Sequence, residues 1–209
     1  TLSNAFTSAT QAEKYLLTCY NYMPNDSDAQ VNSGMTAGDE IWCEYPDISI
    51  YNQSWRIARG LQNVVNPDIN YMEWKNGASS MYKAIRDCNI FLENVEDKSK
   101  IVDLAPDMRD RWIGEVTFLK AYYHFVLLRA YGPIPIIDKN LPINATIAET
   151  RVKRQPVDTV VNYIANLLDK AATTLPPSIR NKATELGRIT KTIALSIKAR
   201  VLVMAASPL

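Results

Sequence analysis

The chain has 209 residues, enough for one domain or two small ones. Lysine and arginine number 23 against 22 acidic residues, a net charge of +1, so nothing draws the chain generally to nucleic acid or an anionic membrane surface. No run approaches the ~18 uncharged apolar residues of a membrane-crossing helix, and only 7 glycines suit a helix-rich chain with few tight hairpins.

Residues 7–23 read as the first helix. Phe6, Ala9, Leu16, Cys19, Tyr20 and Met23 share one face, and Ser8-x-x-Gln11 or Thr10-x-x-Glu13 offers a capping box before Pro24-Asn25-Asp26 breaks the pattern. Residues 25–72 read as a long irregular segment in which Trp42, Tyr45, Tyr51, Trp55 and Tyr71 are scattered among Asp, Asn and Gln, with a short helix near 49–61. Order returns over 74–96, where Trp74, Ala78, Met81, Ile85, Cys88, Leu92 and Val95 keep helical spacing without a miss.

The next helix covers 106–131, with Pro106 at its first position, and spans about 39 Å at ~1.5 Å per residue. Trp112, Val116, Leu119, Tyr123, Val126 and Ala130 form its main stripe, and Phe118, Tyr122 and Phe125 a second row. Two apolar rows predict neighbouring helices on two sides. Tyr131-Gly132-Pro133 stops it, because glycine accepts the helix-ending backbone and proline lacks the N–H to continue.

Residues 133–155 read as irregular. A further amphipathic helix covers 156–175, lined by Val157, Val160, Val161, Ile164, Leu167, Leu168 and Ala171. The last, 190–206, places Ala194, Ser196, Ala199 and Ala205 among Ile193, Ile197, Val201 and Leu202. Small residues of this kind let neighbouring helices approach. Five antiparallel helices without a strict repeat imply an all-α solenoid or bundle.

Catalytic chemistry finds little support. The sole histidine, His124, sits among aromatics and reads as a packed or surface residue rather than a base. No glycine-rich phosphate loop, nucleophile elbow or metal-spaced His/Cys set is present, so no cofactor or metal is expected. Asp39-Glu40 and Glu44-Asp47 read as solvated loop carboxylates, and residues 25–30 as turn chemistry rather than a calcium loop. Cys19, Cys43 and Cys88 form no C-x-x-C; Cys19 and Cys88 fall on apolar helix faces as buried small thiols and do not settle the redox compartment.

Four motifs carry a resemblance. They are Glu115-Val116-Thr117-Phe118-Leu119-Lys120-Ala121-Tyr122-Tyr123 with its Tyr131-Gly132-Pro133-Ile134-Pro135 exit; Trp74…Met81-Tyr82…Ile85…Cys88-Asn89…Leu92; Asn166-Leu167, where Asp-Leu is usual; and Gly187-Arg188-Ile189-Thr190-Lys191…Ala199-Arg200-Val201-Leu202. In order and across the whole chain, they resemble the SusD/RagB-like nutrient-binding lipoproteins of Bacteroidota. The resemblance implies degenerate tetratricopeptide-like helix pairs around a long loop region. It also implies non-catalytic capture of oligosaccharides, or failing that peptides, at the outer-membrane surface, and delivery to a SusC-like TonB-dependent transporter. It implies a signal peptide ending in a lipid-modified cysteine. Thr1-Leu2-Ser3-Asn4 shows neither, and reads as mature sequence. Family members continue past Ser207-Pro208-Leu209, so residues 1–209 read as the N-terminal portion of a single SusD-like domain.

Sugars present apolar C–H faces within a polar rim, so exposed aromatics beside amides and guanidiniums are what a glycan platform needs. Trp42, Tyr45, Tyr51, Trp55, Arg56, Arg59 and Asn63 supply those types in the segment that escapes helical burial. The competing reading is a tetratricopeptide-type adaptor whose groove, lined by Lys83, Arg86 and Asn89, binds peptide. A glycosidase would need two carboxylates facing each other at about 5–9.5 Å. Trp74 and Trp112 lie on helical stripes and are assigned to the core.

Overall fold

The computed structural model describes residues 2–25, 34, 37–38, 56–65, 67, 70–72 and 80–207. The chain divides into two compact units, one of Thr1–Tyr22 with Met81–Leu209 and one of Met23–Ser80. The fold is all-α. Among the described residues, the first unit holds a 3-10 turn (Leu2–Phe6) and six α-helices: α1 (Ala9–Tyr20), α2 (Met81–Val95), α3 (Pro106–Tyr131), α4 (Ile147–Thr150), α5 (Val157–Thr174) and α6 (Lys191–Ala205). No helix there is long and apolar enough to cross a membrane.

Helix ends follow local chemistry. The Ser8 hydroxyl caps α1 by accepting the Gln11 N–H at 3.4 Å, which selects the first of the two capping options. Pro106 opens α3, and Gly132 (φ +67°) ends it while its N–H bonds Leu128 O at 2.9 Å. Thr190 caps α6 through the Ile193 N–H at 3.4 Å. The predicted helix over 106–131 matches residue for residue; those over 7–23, 156–175 and 190–206 fray by one to three residues at their ends. Residues 74–79 of the predicted 74–96 helix lie outside the described set, and α2 runs from Met81. Two features inside 133–155 have no periodic signal. One is α4, closed by a reciprocal Thr146–Glu149 capping box; the other is an antiparallel pairing of Ile134 with Gln155.

α3 is the axis of the core. It packs on α2 along one side and on α5 along another, and α5 then packs on α6, a succession of tetratricopeptide-like neighbours. Both predicted rows of α3 are buried, apart from Ala130, which is exposed. Burial goes further than the rows, because Arg109, Arg111, Glu115, Lys120 and His124 are buried too. On α5, Val157 is 37% exposed and Ala165 and Ala172 are buried instead, a shift of the face toward its inner edge. On α6 only Ala194 and Val201 are buried.

Gly114 permits the α3–α5 approach. A Cβ there would lie 2.4 Å from Thr174 Oγ1, 3.2 Å from Leu175 Cγ and 3.3 Å from the Ala171 carbonyl oxygen. At an ordinary helix position Gly→Ala stabilises by about 1 kcal/mol. At this one the sign reverses, because the backbone oxygen cannot rotate away as the threonine hydroxyl can. Gly114→Ala is expected to destabilise by about 1–3 kcal/mol in urea or thermal melts, with partial recovery in the Thr174→Ala background.

Candidate functional site

Of the residues expected to form a glycan platform, Trp42, Tyr45, Tyr51 and Trp55 lie outside the described residues, as do Trp74 and the Asp39-Glu40 and Glu44-Asp47 pairs. Arg56, Arg59 and Asn63 are described, in the second unit. Residues 56–58 form a single helical turn, which Gly60 ends at φ +72°, with Gly60 N–H bonded to Ile57 O at 2.9 Å and Leu61 N–H to Arg56 O at 2.7 Å. Arg59 and Asn63 are exposed just before and after this stop. Val64 and Val65, 97% and 93% exposed, continue the same stretch. A cation, an amide and an apolar surface therefore occur together on one exposed segment, which is the mixture a sugar ring requires.

In the first unit the motif residues are tied to one another. Glu115, 0% exposed, lies 3.0 Å from Arg111 Nε and 3.0 Å from an Arg188 guanidinium nitrogen, and accepts the Tyr20 hydroxyl at 2.8 Å. Tyr20 in turn accepts the Ile189 N–H at 3.1 Å, and burial beside Glu115 pushes its phenol up, so it stays a donor. Arg111 reaches Glu185 at 2.7 Å, a hydrogen bond that holds the Glu185 carboxyl down at about 2, and Arg188 reaches Glu13 at 3.2 Å. The acidic residue of one motif thus neutralises the arginine of another 73 positions away.

The exit from α3 is strapped down in the same manner. Asn89 donates its amide to Ile137 O at 3.3 Å and to Asn140 Oδ1 at 3.4 Å. Lys120 Nζ meets Asp138 O at 2.5 Å and Oδ1 at 3.1 Å, and Tyr163 donates to the same carboxylate at 2.8 Å. Burial alone would raise the Asp138 carboxyl, but the Tyr163 and Lys120 hydrogen bonds outweigh it and hold it low. His124 bridges the strap: Nδ1–H donates to Lys120 O at 2.8 Å, and Nε2 accepts the Ile137 N–H at 3.3 Å. It is 0% exposed and neutral, a packed residue as expected, and burial holds its pKa down at about 4.

A half-open cleft of about 280 Å³ lies beside this strap, lined among others by Asn89, Glu93, Thr117, Lys120, Asp138 and Lys170. It contains none of the residues expected to bind glycan and no aromatic face. Its charges are largely matched internally, Lys120 by Asp138 and Lys170 by Glu96 at 3.7 Å. The described residues expected to line an adaptor's peptide groove each make an internal contact. Asn89 is buried against the strap, Lys83 bonds Tyr22 at 2.5 Å, and Arg86 lies 3.8 Å from Asp87. Among the described residues no group of three or more His, Cys, Asp or Glu is placed to hold a metal ion.

A family model described as SusD-like, starch-binding associating with outer membrane, matches residues 7–203. The chain belongs to the SusD-like family. Solved SusD-like structures carry the same architecture. A SusD-like protein (BF3747) from Bacteroides fragilis superposes with a TM-score of 0.73 at 23% identity, over 96% of this chain and 36% of that one. A protein named BT4246 gives 0.77 at 33% identity, over 98% and 32%, and a laminarin-binding SusD-like protein gives 0.76 at 19%, over 96% and 41%. The SusD-like chain described here therefore spans roughly a third to two fifths of these relatives. No curated protein matches it.

Proposed function

We propose that this SusD-like chain is the N-terminal portion of a non-catalytic glycan-capture protein, lipid-anchored in the outer membrane and exposed at the cell surface. It binds an oligosaccharide and passes it to a SusC-like TonB-dependent transporter. The observation that carries this reading is the family match across residues 7–203, whose description is starch-binding with outer-membrane association. Glu115, Lys120, Asn89 and Arg188, the polar motif residues at the centre of the first unit, are committed to internal ion pairs and hydrogen bonds. Ligand contact therefore falls to residues outside that scaffold, with Trp42, Tyr45, Tyr51, Trp55, Arg59 and Asn63 as the candidates.

Isothermal titration of the full-length protein against a panel of starch- and laminarin-type oligosaccharides tests the reading. Trp42→Ala and Trp55→Ala are each expected to weaken binding at least tenfold while the thermal melt stays unchanged. A loss of about 1.4 kcal/mol per stacked ring produces that factor. Flat isotherms across the panel, with no barrel partner on co-purification, would overturn the proposal.

A further inference from the structure

The half-open cleft beside the strap is lined by groups of two kinds, and they come from different elements. The α2 side supplies Asn89, Glu93 and, one residue past the helix end, Glu96, whose spacings of four and three put them on one face. The Asn89 amide nitrogen is spent on the strap, so this side offers acceptors: one amide oxygen and two carboxylates. The other elements offer donors. Thr117 and Lys120 come from α3, Lys139 from the strap and Lys170 from α5.

Part of this polarity is already matched, Lys120 by Asp138 and Lys170 by Glu96 at 3.7 Å. Four groups are left over. Glu93 and Lys139 are exposed, and among the described residues neither side chain forms an ion pair or a hydrogen bond. Asn89 Oδ1 and Thr117 Oγ1 have no partner either, although their residues are only 2% and 1% exposed. Buried polar atoms are normally paired, so two orphans on the lining of one cleft call for a ligand that pairs them.

From this arrangement we infer that the cleft binds a free amino acid as its zwitterion. The ammonium lies toward α2, where Glu93 supplies the opposite charge and Asn89 Oδ1 a further acceptor. The carboxylate lies toward the strap and α3, where Lys139 supplies the charge and the Thr117 hydroxyl a donor. Leu92 and Leu167 are the apolar part of the lining and take an aliphatic side chain. The carboxylates of Glu93, Glu96 and Asp138 balance the ammonium groups of Lys120, Lys139 and Lys170. A balanced lining favours a molecule with separated, cancelling charges over an ion of either sign. The volume of about 280 Å³ falls just short of the roughly 300 Å³ at which pockets for drug-sized ligands begin, which suits one amino acid and excludes an oligosaccharide. The cleft belongs to the first unit and the glycan candidates to the second, so the inference stands whether or not the glycan reading does.

Isothermal titration of the full-length protein with L-leucine, isopentylamine and 4-methylpentanoate tests the inference, because each analogue keeps the side chain and only one charge. Leucine is expected to bind, and each analogue about tenfold more weakly or worse. Glu93→Gln and Lys139→Gln, at exposed and unpaired positions, should leave the thermal melt unchanged and each weaken leucine by about the same factor. Lys182→Gln, exposed and outside the cleft, should bind leucine as wild type does. Glycan isotherms should be the same for all three variants. The inference is overturned if leucine, valine and alanine all fail to bind at millimolar concentration, or if either analogue equals leucine. Leucine binding that neither cleft variant moves overturns it too. So does a glycan isotherm weakened by Glu93→Gln, which would make the cleft part of the glycan site.

Discussion

Glu115→Ala is expected to lower the unfolding free energy by about 3–5 kcal/mol, the cost of stranding buried charge. The carboxylate is fully enclosed and sits between Arg111 and Arg188, whose side chains are 4% and 12% exposed. Removing it leaves two guanidiniums facing one another without their shared counter-charge and deprives the Tyr20 hydroxyl of its acceptor. At about 2–4 °C per kcal/mol for a domain of this size, Tm should fall by roughly 10 °C or more. Glu115→Gln keeps an acceptor for Tyr20 and should fall between wild type and alanine. Removing a surface pair gives the contrast: Lys198–Asp169, at 2.6 Å but with its carboxylate 52% exposed, should change stability by less than about 1 kcal/mol. Equal effects at the two places would refute the claim that the network is buried in solution.

The second large effect is a loss of stability in mild acid centred on His124. Its folded pKa of about 4 lies below the ordinary 6.5, so the unfolded chain binds the proton more readily. The neutral ring's contribution is complete above pH 6.5, declines as pH falls, and levels off below about 4. The slope amounts to about 2 kcal/mol between pH 7 and pH 5, and about 3 kcal/mol in all. The cause is geometric as well as dielectric. A proton on Nε2 would point at the Ile137 N–H, which Nε2 now accepts, so the strap over residues 137–140 loses a tether just as a charge appears in the core. His124 is the only histidine, so no other side chain with an ordinary pKa titrates between pH 6.5 and 5. Urea titrations of wild type and His124→Leu across that window should diverge. Parallel curves would show that the ring is not buried neutral.

The candidate glycan segment was legible only by exclusion. Trp42, Tyr45, Tyr51 and Trp55 stand where no helical period persists, which points to a region and assigns no geometry. For Arg59 and Asn63 the structure adds a fact that periodicity does not contain: Gly60 at positive φ stops the helical turn between them and leaves both exposed. The roles of Arg109 and Asn89 were illegible for a different reason. Arg109 spends its guanidinium on the carbonyls of Val95, Lys100 and Ile101 at 2.6, 2.9 and 2.8 Å, closing the loop after α2. A lone buried arginine leaves no pattern in sequence, because its partners are main-chain atoms that every residue possesses.

The family, the all-α class and the long helix α3 follow from the sequence alone. Hydrophobic period, a proline at the start, Tyr-Gly-Pro at the end and four ordered motifs are local properties, and local properties survive translation into one dimension. Which motif answers which is another matter. That Glu115 serves Arg188 and that Asn89 holds the chain at Ile137 are decisions of helix packing across separations of 73 and 48 residues. Only when α1, α2, α5 and α6 are laid against α3 do these groups lose water and need each other, and that need is what the motifs satisfy.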